Sequence, residues 1–409
     1  MMTGEGIVCV SSIDWTFNWQ AHQETMSILS ACGNHVLFVE NTGVRAPNIR
    51  DLPRLRERLR NWCRGRGGVR QERKHLTIYS PLALPFPYSR WARSVNRRIL
   101  TRTIRRWMRM VGCVRPIVWT FLPTPVVHDL VRDLDAILAI YYCVDDLPSS
   151  SLPARRLERS EIELFRTADL VFVTAENLRL RAACVRDDVQ LFPAGVSYEM
   201  FERIRDGPPK PPGPLAGLPR PIVGYVGGLN QKLDQELLVD VAGRMPEVTF
   251  ALVGPIETNV SLLRRSPNIR LLGPQPHAEV PHYIREFAVG LVPYQLTPYT
   301  SHVFPAKVGE YLAMGIPVVS TDLPEVQRFN AANGNVVTIA ADPTAFSEAV
   351  REALVTDNSS EVAVRRIESA RRNTWERRIN EMSTLVEQRV ARRRAGAGRH
   401  ESRSNGSAP

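Results

Sequence analysis

The sequence lacks the cysteine patterns that build disulfide frameworks or zinc sites. Its six cysteines are scattered along the chain, without Cys-x-x-Cys spacing or paired histidines, at positions 9, 32, 63, 113, 143 and 184. Neither kind of site is therefore indicated, and a reducing compartment fits best.

Long apolar runs are also missing. Asp, Arg or Pro interrupts the hydrophobic stretches before they reach the ~18 residues that a membrane span requires. The first residues, MMTGEGIVCVSS, contain no basic leader followed by an apolar segment. We therefore expect a soluble, cytoplasmic protein that is at most peripheral on the inner face of the plasma membrane.

Acidic residues are scarce between positions 45 and 115. This segment holds twenty Lys and Arg against three acids, a local balance of +17, whereas the whole chain carries +11. The stretches 54–70 and 90–110 place Leu, Ile, Trp and Met among the arginines, which is typical of a helix on an anionic membrane surface. The alternative is a solvated basic face over a buried apolar stripe. No nucleic-acid module is present and the rest of the chain is mildly acidic, so we expect no nucleic-acid partner.

Short apolar runs alternate with amphipathic stretches along most of the 409 residues. Runs such as 6–12, 115–122 and 169–175 are typical of buried strands, and the alternation predicts α/β architecture with two doubly wound, Rossmann-like domains. Seven prolines and three glycines interrupt it at 203–221, which predicts a linker. We predict an N-terminal domain at 1–202 with an Arg-rich insert at 45–115, a second domain at 222–375, a C-terminal helix at 376–392 and a disordered tail at 393–409.

Ligands of such sheets bind at the carboxyl ends of the strands. In the second half, Gly227, Gly228, Gly254 and Pro293 follow predicted strands. Glycines there allow the backbone to approach a ligand closely.

The stretch FPAKVGEYLAMGIPVVST (304–321) reads as a helix, a glycine stop and a strand. With Pro305 near the first helical position, the amides of Ala306 and Lys307 and the Lys307 ammonium favour an anion. Glu310, one turn later, is suited to accept hydrogen bonds from ribose hydroxyls. The alternative for Lys307 and Glu310 is a solvated i,i+3 ion pair.

The same stretch resembles the donor motif of GT-B fold glycosyltransferases, specifically the retaining family 4, or group 1, enzymes. Further similarity lies in VGYVGGLNQKLDQELL (223–238), FALVGP (250–255), VGLVPY (289–294), FPAGVSYEMF (192–201) and TWERR (374–378). A tryptophan pair of the form DW then WQ near the N-terminus is similar to polysaccharide-building transferases of the teichuronic acid type.

The resemblance implies two facing domains, an NDP-sugar donor bound mainly by the second, a glycan or lipid-linked acceptor bound mainly by the first, retention of configuration and no metal or other cofactor. It assigns Glu310 to the ribose and places Phe304, Ala306 and Lys307 at the donor. Two positions depart from the family pattern: His302 stands where the first motif glutamate is expected, and Gly228 where an arginine is expected. The family lysine falls near Lys232, and Lys307 is expected to carry more of the phosphate charge.

The first domain offers fewer functional candidates. Asp14, Trp15, Trp19 and His22 follow the first strand, where an aromatic pair beside polar groups suggests a sugar platform formed by Trp15 and Trp19. The alternative is that both tryptophans pack under the next helix.

Asp145 and Asp146 end another strand. Asp145 either orients the acceptor hydroxyl or stands as a helix N-terminal acid, and we take Asp145, Asp14 and His22 as catalytic candidates. A metal site at Asp145 and Asp146 is disfavoured because adjacent acids on a loop point apart and no third ligand is evident.

The sequence thus predicts a hexosyltransferase-type enzyme of cell-surface polysaccharide biosynthesis. Two alternatives stay open: a sugar-nucleotide epimerase on the same fold, and a non-catalytic protein that binds nucleotide-sugars.

Overall fold

The computed structural model describes residues 1–41, 68–82, 84, 89–150, 153–355 and 360–404. The chain forms two compact units. The first unit comprises Met1–Phe192 and Arg378–Pro409, and the second comprises Pro193–Arg377. Much of the Arg-rich insert, including 54–67, lies outside the described residues.

The first unit is built on an eight-stranded sheet with the order β3-β4-β2-β1-β5-β6-β7-β8. Its strands are β1 Gly6–Val10, β2 His35–Val39, β3 Val69–Arg73, β4 Leu76–Tyr79, β5 Ile117–Thr120, β6 Leu138–Cys143, β7 Leu170–Val173 and β8 Val189–Leu191. All neighbours are parallel except β3, which pairs antiparallel with β4. The central strands are apolar along their whole length because helices cover both faces of a parallel sheet.

The helices of the first unit follow its strands in sequence. They are α1 Ala21–Ala31, α2 Arg90–Val111, α3 Pro125–Asp133, α4 Glu158–Thr167 and α5 Glu176–Ala183. The α2 helix buries Leu100, Ile104 and Trp107, a spacing that places the three side chains on one face. Its other side carries arginines.

The second unit has a six-stranded parallel sheet with the order β11-β10-β9-β12-β13-β14. Its strands are β9 Ile222–Val226, β10 Thr249–Val253, β11 Ile269–Gly273, β12 Val289–Val292, β13 Val318–Thr321 and β14 Thr338–Ala340. Its helices are α6 Tyr198–Asp206, α7 Gln235–Gly243, α8 Val280–Arg285, α9 Lys307–Ala313, α10 Pro324–Ala332, α11 Pro343–Val355 and α12 Ser360–Arg372. Two doubly wound sheets confirm the predicted α/β class.

The last helix, α13 Trp375–Ser404, begins in the second unit and belongs to the first from Arg378 onward. Ile379, Met382 and Val386 are buried along one of its sides. Arg389 and Arg394 form ion pairs with Asp188 and Glu5, at 3.4 and 3.0 Å. These contacts attach the chain end to the first unit.

Two predicted boundaries differ from the structure. The units divide at Phe192/Pro193, ten residues before the predicted linker, because α6 precedes the proline-rich stretch and Phe201 packs in the core of the second unit. The tail predicted as disordered from 393 continues α13 as far as Ser404. Among the described helices, none is long and apolar enough to cross a membrane.

Candidate active site

Two glycines bring the ends of β9 and β10 together in the second unit. Gly227 and Gly254 have φ angles of +130° and +152°, a region that side chains disfavour. The Gly227 N–H donates to the Val253 carbonyl at 2.8 Å. A Cβ atom on Gly254 would lie only 1.9 Å from the Gly227 carbonyl oxygen. The backbone of one glycine therefore packs directly on the backbone of the other at the carboxyl ends of β9 and β10.

The Lys307 side chain lies beside this turn. A Cβ atom on Gly227 would be 3.4 Å from Lys307 Nζ. Lys307 Nζ donates a hydrogen bond of 2.6 Å to Tyr294 Oη. The ammonium also lies 4.8 Å from the ring centroid of Tyr225 and 4.6 Å from that of Tyr294, distances typical of cation–π contacts.

Lys307 is 8% exposed, so its charge is largely withdrawn from water. Within the described part of the chain, the ammonium is paired with a phenol and two ring faces, and with no carboxylate. A buried charge without an opposite charge is costly. The site is therefore electrostatically prepared for an anion.

Two other buried tyrosines of this unit, Tyr225 in β9 and Tyr311 in α9, bind backbone groups through their hydroxyls. Tyr225 Oη donates to the Gly228 carbonyl at 3.0 Å. Tyr311 Oη donates to the Leu291 carbonyl at 3.3 Å and accepts from the Val226 N–H at 3.0 Å.

The phenol of Tyr294 responds to its cationic neighbours. Burial raises the pKa of Tyr294, but the positive charges of Lys307 and Lys232 outweigh burial and hold that pKa below its ordinary value. Burial raises the pKa of Tyr225 well above its ordinary value. Both lysines therefore lower the pKa of the Tyr294 phenol.

Lys232 approaches the same region from the loop after β9. Its Nζ lies 5.2 Å from the ring centroid of Tyr299, and its N–H donates to Asn230 Oδ1 at 3.1 Å. Asn230 in turn donates to Glu257 at 3.2 Å. A Cβ atom on Gly228 would be 3.2 Å from both Asn230 Nδ2 and Glu257 Oε1. Pro293, at the end of β12, accepts the Asp234 N–H at 2.9 Å.

The helix α9 begins two residues later than the sequence suggests. Ala306 is the N-cap residue and Lys307 the first helical residue. Pro305 therefore lies before the cap, where its carbonyl accepts the Val308 N–H at 3.0 Å. Glu310 is half-buried one turn after Lys307. Its contact with a ribose remains a prediction.

The segment before α9 contains one further donor candidate and one packing residue. His302 Nδ1 lies 2.7 Å from the Pro298 carbonyl, so this nitrogen carries a proton. A donor contact of His302 stays a prediction. The Phe304 ring packs on Phe329 with centroids 5.0 Å apart, and it is partly buried against the core. The Phe304 side chain therefore contributes to packing, and its predicted place at the donor stays a prediction.

In the first unit, the predicted aromatic platform is not formed. Trp15 is 5% exposed and makes edge contacts with Phe38 and Trp19, with centroids 5.0 and 5.5 Å apart. The backbone N–H of Trp15 donates to Glu40 Oε1 at 3.1 Å. Trp15 is therefore a packing residue, which agrees with the alternative interpretation for this one tryptophan, whereas Trp19 is half-buried and stays an acceptor candidate.

His22 is a core residue of the first unit. It is 1% exposed, its Nε2 lies 2.9 Å from Ser12 Oγ, and its ring packs 4.1 Å from that of Phe121. Burial lowers the pKa of His22 to about 3. A neutral, enclosed imidazole does not suit the predicted catalytic role. Asp14 is half-buried in the loop after β1, and its carbonyl accepts the Phe17 N–H at 3.1 Å.

Asp145 and Asp146 have separate environments after β6. Asp146 is buried, and its Oδ1 accepts from Arg181 at 2.6 Å. Arg181 also pairs with Glu161, whose Oε1 accepts from Tyr141 Oη at 2.6 Å. Burial raises the pKa of Glu161 even though Arg181 opposes this.

Asp146 therefore anchors the loop, and Asp145 is the half-buried neighbour. Because β1, β5 and β6 are adjacent and parallel, Asp14 and Asp145 follow strands that end at the same edge of the sheet.

Comparison with known proteins assigns the second unit. A family model described as glycosyl transferases group 1 matches residues 220–356. Residues 220–356 are a group 1 glycosyltransferase domain. This stretch contains Gly227, Lys232, Gly254, Lys307 and Glu310, so the tyrosine-bound lysine lies within it.

A bacterial relative extends the likeness. TuaH of Bacillus subtilis (strain 168), provisionally named as a teichuronic acid biosynthesis glycosyltransferase, is 33% identical over 180 residues. The aligned region covers 42% of this chain and 45% of TuaH, so the match spans less than half the length of that relative.

Solved structures show the fold of the whole chain. A glycosyltransferase from Rickettsia africae ESF-5 superposes with a TM-score of 0.66 at 11% identity, covering 94% of this chain and 98% of that one. Anabaena HepE, solved in complex with UDP, superposes with a TM-score of 0.64 at 12% identity. The superposition covers 94% of this chain and 100% of HepE. An E. coli trehalose-6-phosphate protein bound with UDP-2-fluoro glucose superposes with a TM-score of 0.63 at 12% identity. The superposition covers 94% of this chain and 99% of that one. The chain therefore has the GT-B fold.

Several residues that contribute to the structure of both units give no functional signal in the sequence analysis. Tyr225 and Tyr294 were read only as strand residues, although the tyrosine in VGYVGG and the one in VGLVPY both end apolar runs. A polar-tipped aromatic residue at a strand end is the signal that could have found them. Glu161 and Arg181 gave no local signal, because they meet Asp146 only through the fold.

Proposed function

We propose that this protein is a retaining, metal-independent glycosyltransferase. It moves a sugar from a nucleoside-diphosphate sugar to a glycan or lipid-linked acceptor in cell-surface polysaccharide biosynthesis. The observation that carries the proposal is the buried Lys307 ammonium, which has a phenol for its hydrogen-bond partner and lies beside the glycine turn after β9.

A diphosphate is the ligand that this charge favours. Tyr294 Oη accepts one hydrogen bond from the ammonium. An ammonium can donate three hydrogen bonds, so two remain for a ligand. Lys232 adds a second cation near the same phenol. Transfer at an anomeric carbon proceeds through an oxocarbenium-like transition state, in which negative charge grows on the leaving diphosphate. Fixed cations that stabilise this charge lower the barrier.

The remaining assignments follow from position. Glu310 lies one turn after Lys307 and is proposed to accept hydrogen bonds from the ribose hydroxyls of the donor. Asp145 and Asp14 follow strands at one edge of the first sheet and are proposed to orient the acceptor hydroxyl. The uridine ligands of HepE and the E. coli protein favour a uridine donor as the first to test.

The first experiment is a thermal-shift screen with UDP, GDP, dTDP and ADP and their sugars. We expect one nucleoside diphosphate to raise the melting temperature in buffer containing EDTA, and its sugar to be hydrolysed or transferred there. Failure of all four to stabilise the protein would contradict the donor site. Release of an epimerised sugar without an acceptor would favour the epimerase, and binding without any turnover would favour the non-catalytic alternative.

We also propose that the protein binds anionic membranes peripherally through the Arg-rich segment 45–115. In its described part, the arginines of α2 divide into two groups. Arg93 forms an ion pair with Asp129 at 2.7 Å, and Arg97 pairs with Asp133. The exposed arginines of α2 are Arg90, Arg98, Arg102, Arg105, Arg106 and Arg109.

The outward side of α2 combines charge with apolar side chains. Trp91 and Met110 are 69% and 66% exposed there. A groove of about 580 Å³ is lined by Arg98, Arg102 and Arg109 together with the ion pair of Arg97 and Asp133. Exposed arginines next to tryptophan and methionine suit the interface of an anionic bilayer. A lipid-linked acceptor would be presented at such a surface.

A matched pair of triple variants tests the membrane proposal. Arg98, Arg102 and Arg109 changed to Gln should weaken binding to vesicles containing phosphatidylglycerol on the order of a hundredfold, at ~1 kcal/mol per basic residue. The control changes three exposed arginines of the second unit to Gln, namely Arg264, Arg265 and Arg371. Equal loss in both variants, or wild-type binding to pure phosphatidylcholine, would contradict a specific basic face.

A further inference from the structure

We infer that Tyr294 is a positioning residue that fixes the Lys307 ammonium for the donor diphosphate. The inference rests on the proposed function and assigns the role to the Tyr294 hydroxyl. The phenol holds the charge and does not itself touch the reacting atoms.

The backbone of Tyr294 is tied to the neighbouring strand, and its side chain is buried. Tyr294 is buried directly after β12. Its N–H donates to Thr321 Oγ1 at 3.2 Å, and its carbonyl accepts from the same Oγ1 at 2.8 Å. Because β12 and β13 are paired in parallel, these contacts tie the tyrosine to the neighbouring strand. Because the side chain that extends from this fixed backbone is also buried, close packing restricts the positions open to its hydroxyl.

Lys307 has no such constraint of its own. A lysine side chain is a flexible four-carbon stem that ends in a compact point charge. In the described part of the chain, the hydrogen bond to Tyr294 Oη is the one that Lys307 Nζ makes. The two ring faces at 4.6 and 4.8 Å restrict the ammonium but give it no direction. Direction comes from the hydroxyl, which leaves two protons for a ligand.

Gly227 borders the Lys307 ammonium at the turn after β9, and the proposal places the ligand on this side. A Cβ atom on this residue would lie 3.4 Å from both Cε and Nζ of Lys307 and 3.4 Å from Tyr225 Oη. The glycine leaves this space to a ligand at the turn. Tyr294 fixes the ammonium on one side, and the glycine turn keeps the other side open.

Tyr294→Phe separates the hydroxyl from the ring. It keeps the ring contact with the ammonium but removes the acceptor, so the lysine recovers its torsional freedom. We expect kcat/KM for the donor to fall about tenfold or more, the scale of one hydrogen bond to a charged group. Tyr311→Phe is the matched control, because it removes an equally buried phenol of the same unit whose partners are backbone groups of Val226 and Leu291.

The small number of lysines permits a direct spectroscopic readout. The chain has four, at positions 74, 210, 232 and 307, so a protein labelled with ¹⁵N-lysine gives four ammonium signals. The Lys307 signal, assigned by its absence in Lys307→Met, should exchange with water more slowly than those of the exposed Lys74 and Lys210. It should also shift under the ring currents of Tyr225 and Tyr294. Tyr294→Phe should abolish the slow exchange, and Tyr311→Phe should retain it.

Titration with inorganic pyrophosphate connects this signal to the site. We expect the wild-type Lys307 signal to shift, and the Tyr294→Phe protein to need at least tenfold more pyrophosphate for the same shift. Equal titrations in both proteins would overturn the positioning role and leave the donor site intact. No response in wild type would count against the proposed function, while the exchange rates would still report on Tyr294. If Tyr294→Phe does not fold, a wild-type Lys307 ammonium that exchanges as fast as Lys74 would overturn the inference.

Discussion

Replacing Lys307 with methionine removes the charge at the centre of the site and preserves most of the side-chain volume. In the structure, Lys307 Nζ is largely buried and bound to Tyr294 Oη. A unit negative charge of the diphosphate centred about 4 Å from this ammonium would interact with it by about 4 kcal/mol at an effective dielectric constant of about 20. Mutational series give about 1.5 to 3 kcal/mol for one hydrogen bond to a charged group.

Taking about 3 kcal/mol as the loss, kcat/KM for the donor should fall on the order of a hundredfold, since ~1.4 kcal/mol corresponds to a factor of ten. Folding should suffer little. Methionine places no charge in the interior, and the Tyr294 hydroxyl loses one hydrogen bond, worth about 1 kcal/mol. The melting temperature should therefore change by only a few degrees.

The assay measures hydrolysis or transfer of the NDP-sugar that best stabilises the wild-type protein. Lys210→Met is the control, because Lys210 is exposed in the same unit and the substitution changes the net charge equally. We expect Lys210→Met to behave as wild type. Equal kcat/KM values for the two variants would refute the assignment of the leaving-group charge to Lys307.

Three further predictions concern stability and binding. Burial lowers the pKa of His22 to about 3, from 6.5, so below pH 6.5 the unfolded chain binds a proton that the folded chain does not. The free energy of unfolding should thus drop by about 2 kcal/mol between pH 8 and pH 5. In denaturant titrations, His22→Phe should reduce this drop. An unchanged drop in that variant would contradict a buried, neutral His22. Glu310→Gln should weaken nucleoside-diphosphate binding about tenfold and leave pyrophosphate binding unchanged in calorimetry, whereas equal effects on both ligands would argue against a ribose contact. Trp15→Ala should cost about 3 to 5 kcal/mol of stability, and a variant that melts like wild type would show that Trp15 is not part of the core.

The fold could be predicted from the sequence because parallel strands that helices cover on both faces are short, unbroken apolar runs. IVWT and LVFV, for example, are β5 and β7. The edge strand β3 was missed because its sequence, VRQER, is polar and half exposed, and it resembled the surrounding basic segment. The division at Phe192 was missed because the helix α6 gives no compositional signal, whereas the later prolines do.

The candidate site could be predicted only in part from the sequence. Lys307 was found because a cation at the start of a helix has a local signature. Its tyrosine partners come from the ends of β9 and β12, and their convergence depends on strand order. Trp15 and His22 were given functional roles because they follow a strand end, but exposure is a tertiary property. Both side chains turn into the core, where Phe38 and Phe121 cover them.

The central claim is that the Lys307 ammonium binds the diphosphate of the donor. A crystal structure with the nucleoside diphosphate that stabilises the protein most tests this claim directly. We predict a diphosphate oxygen about 2.7 to 2.9 Å from Lys307 Nζ, the length of a charge-assisted hydrogen bond, with the bond to Tyr294 Oη retained. A diphosphate bound elsewhere, with Lys307 still contacting only its tyrosines, would contradict the account.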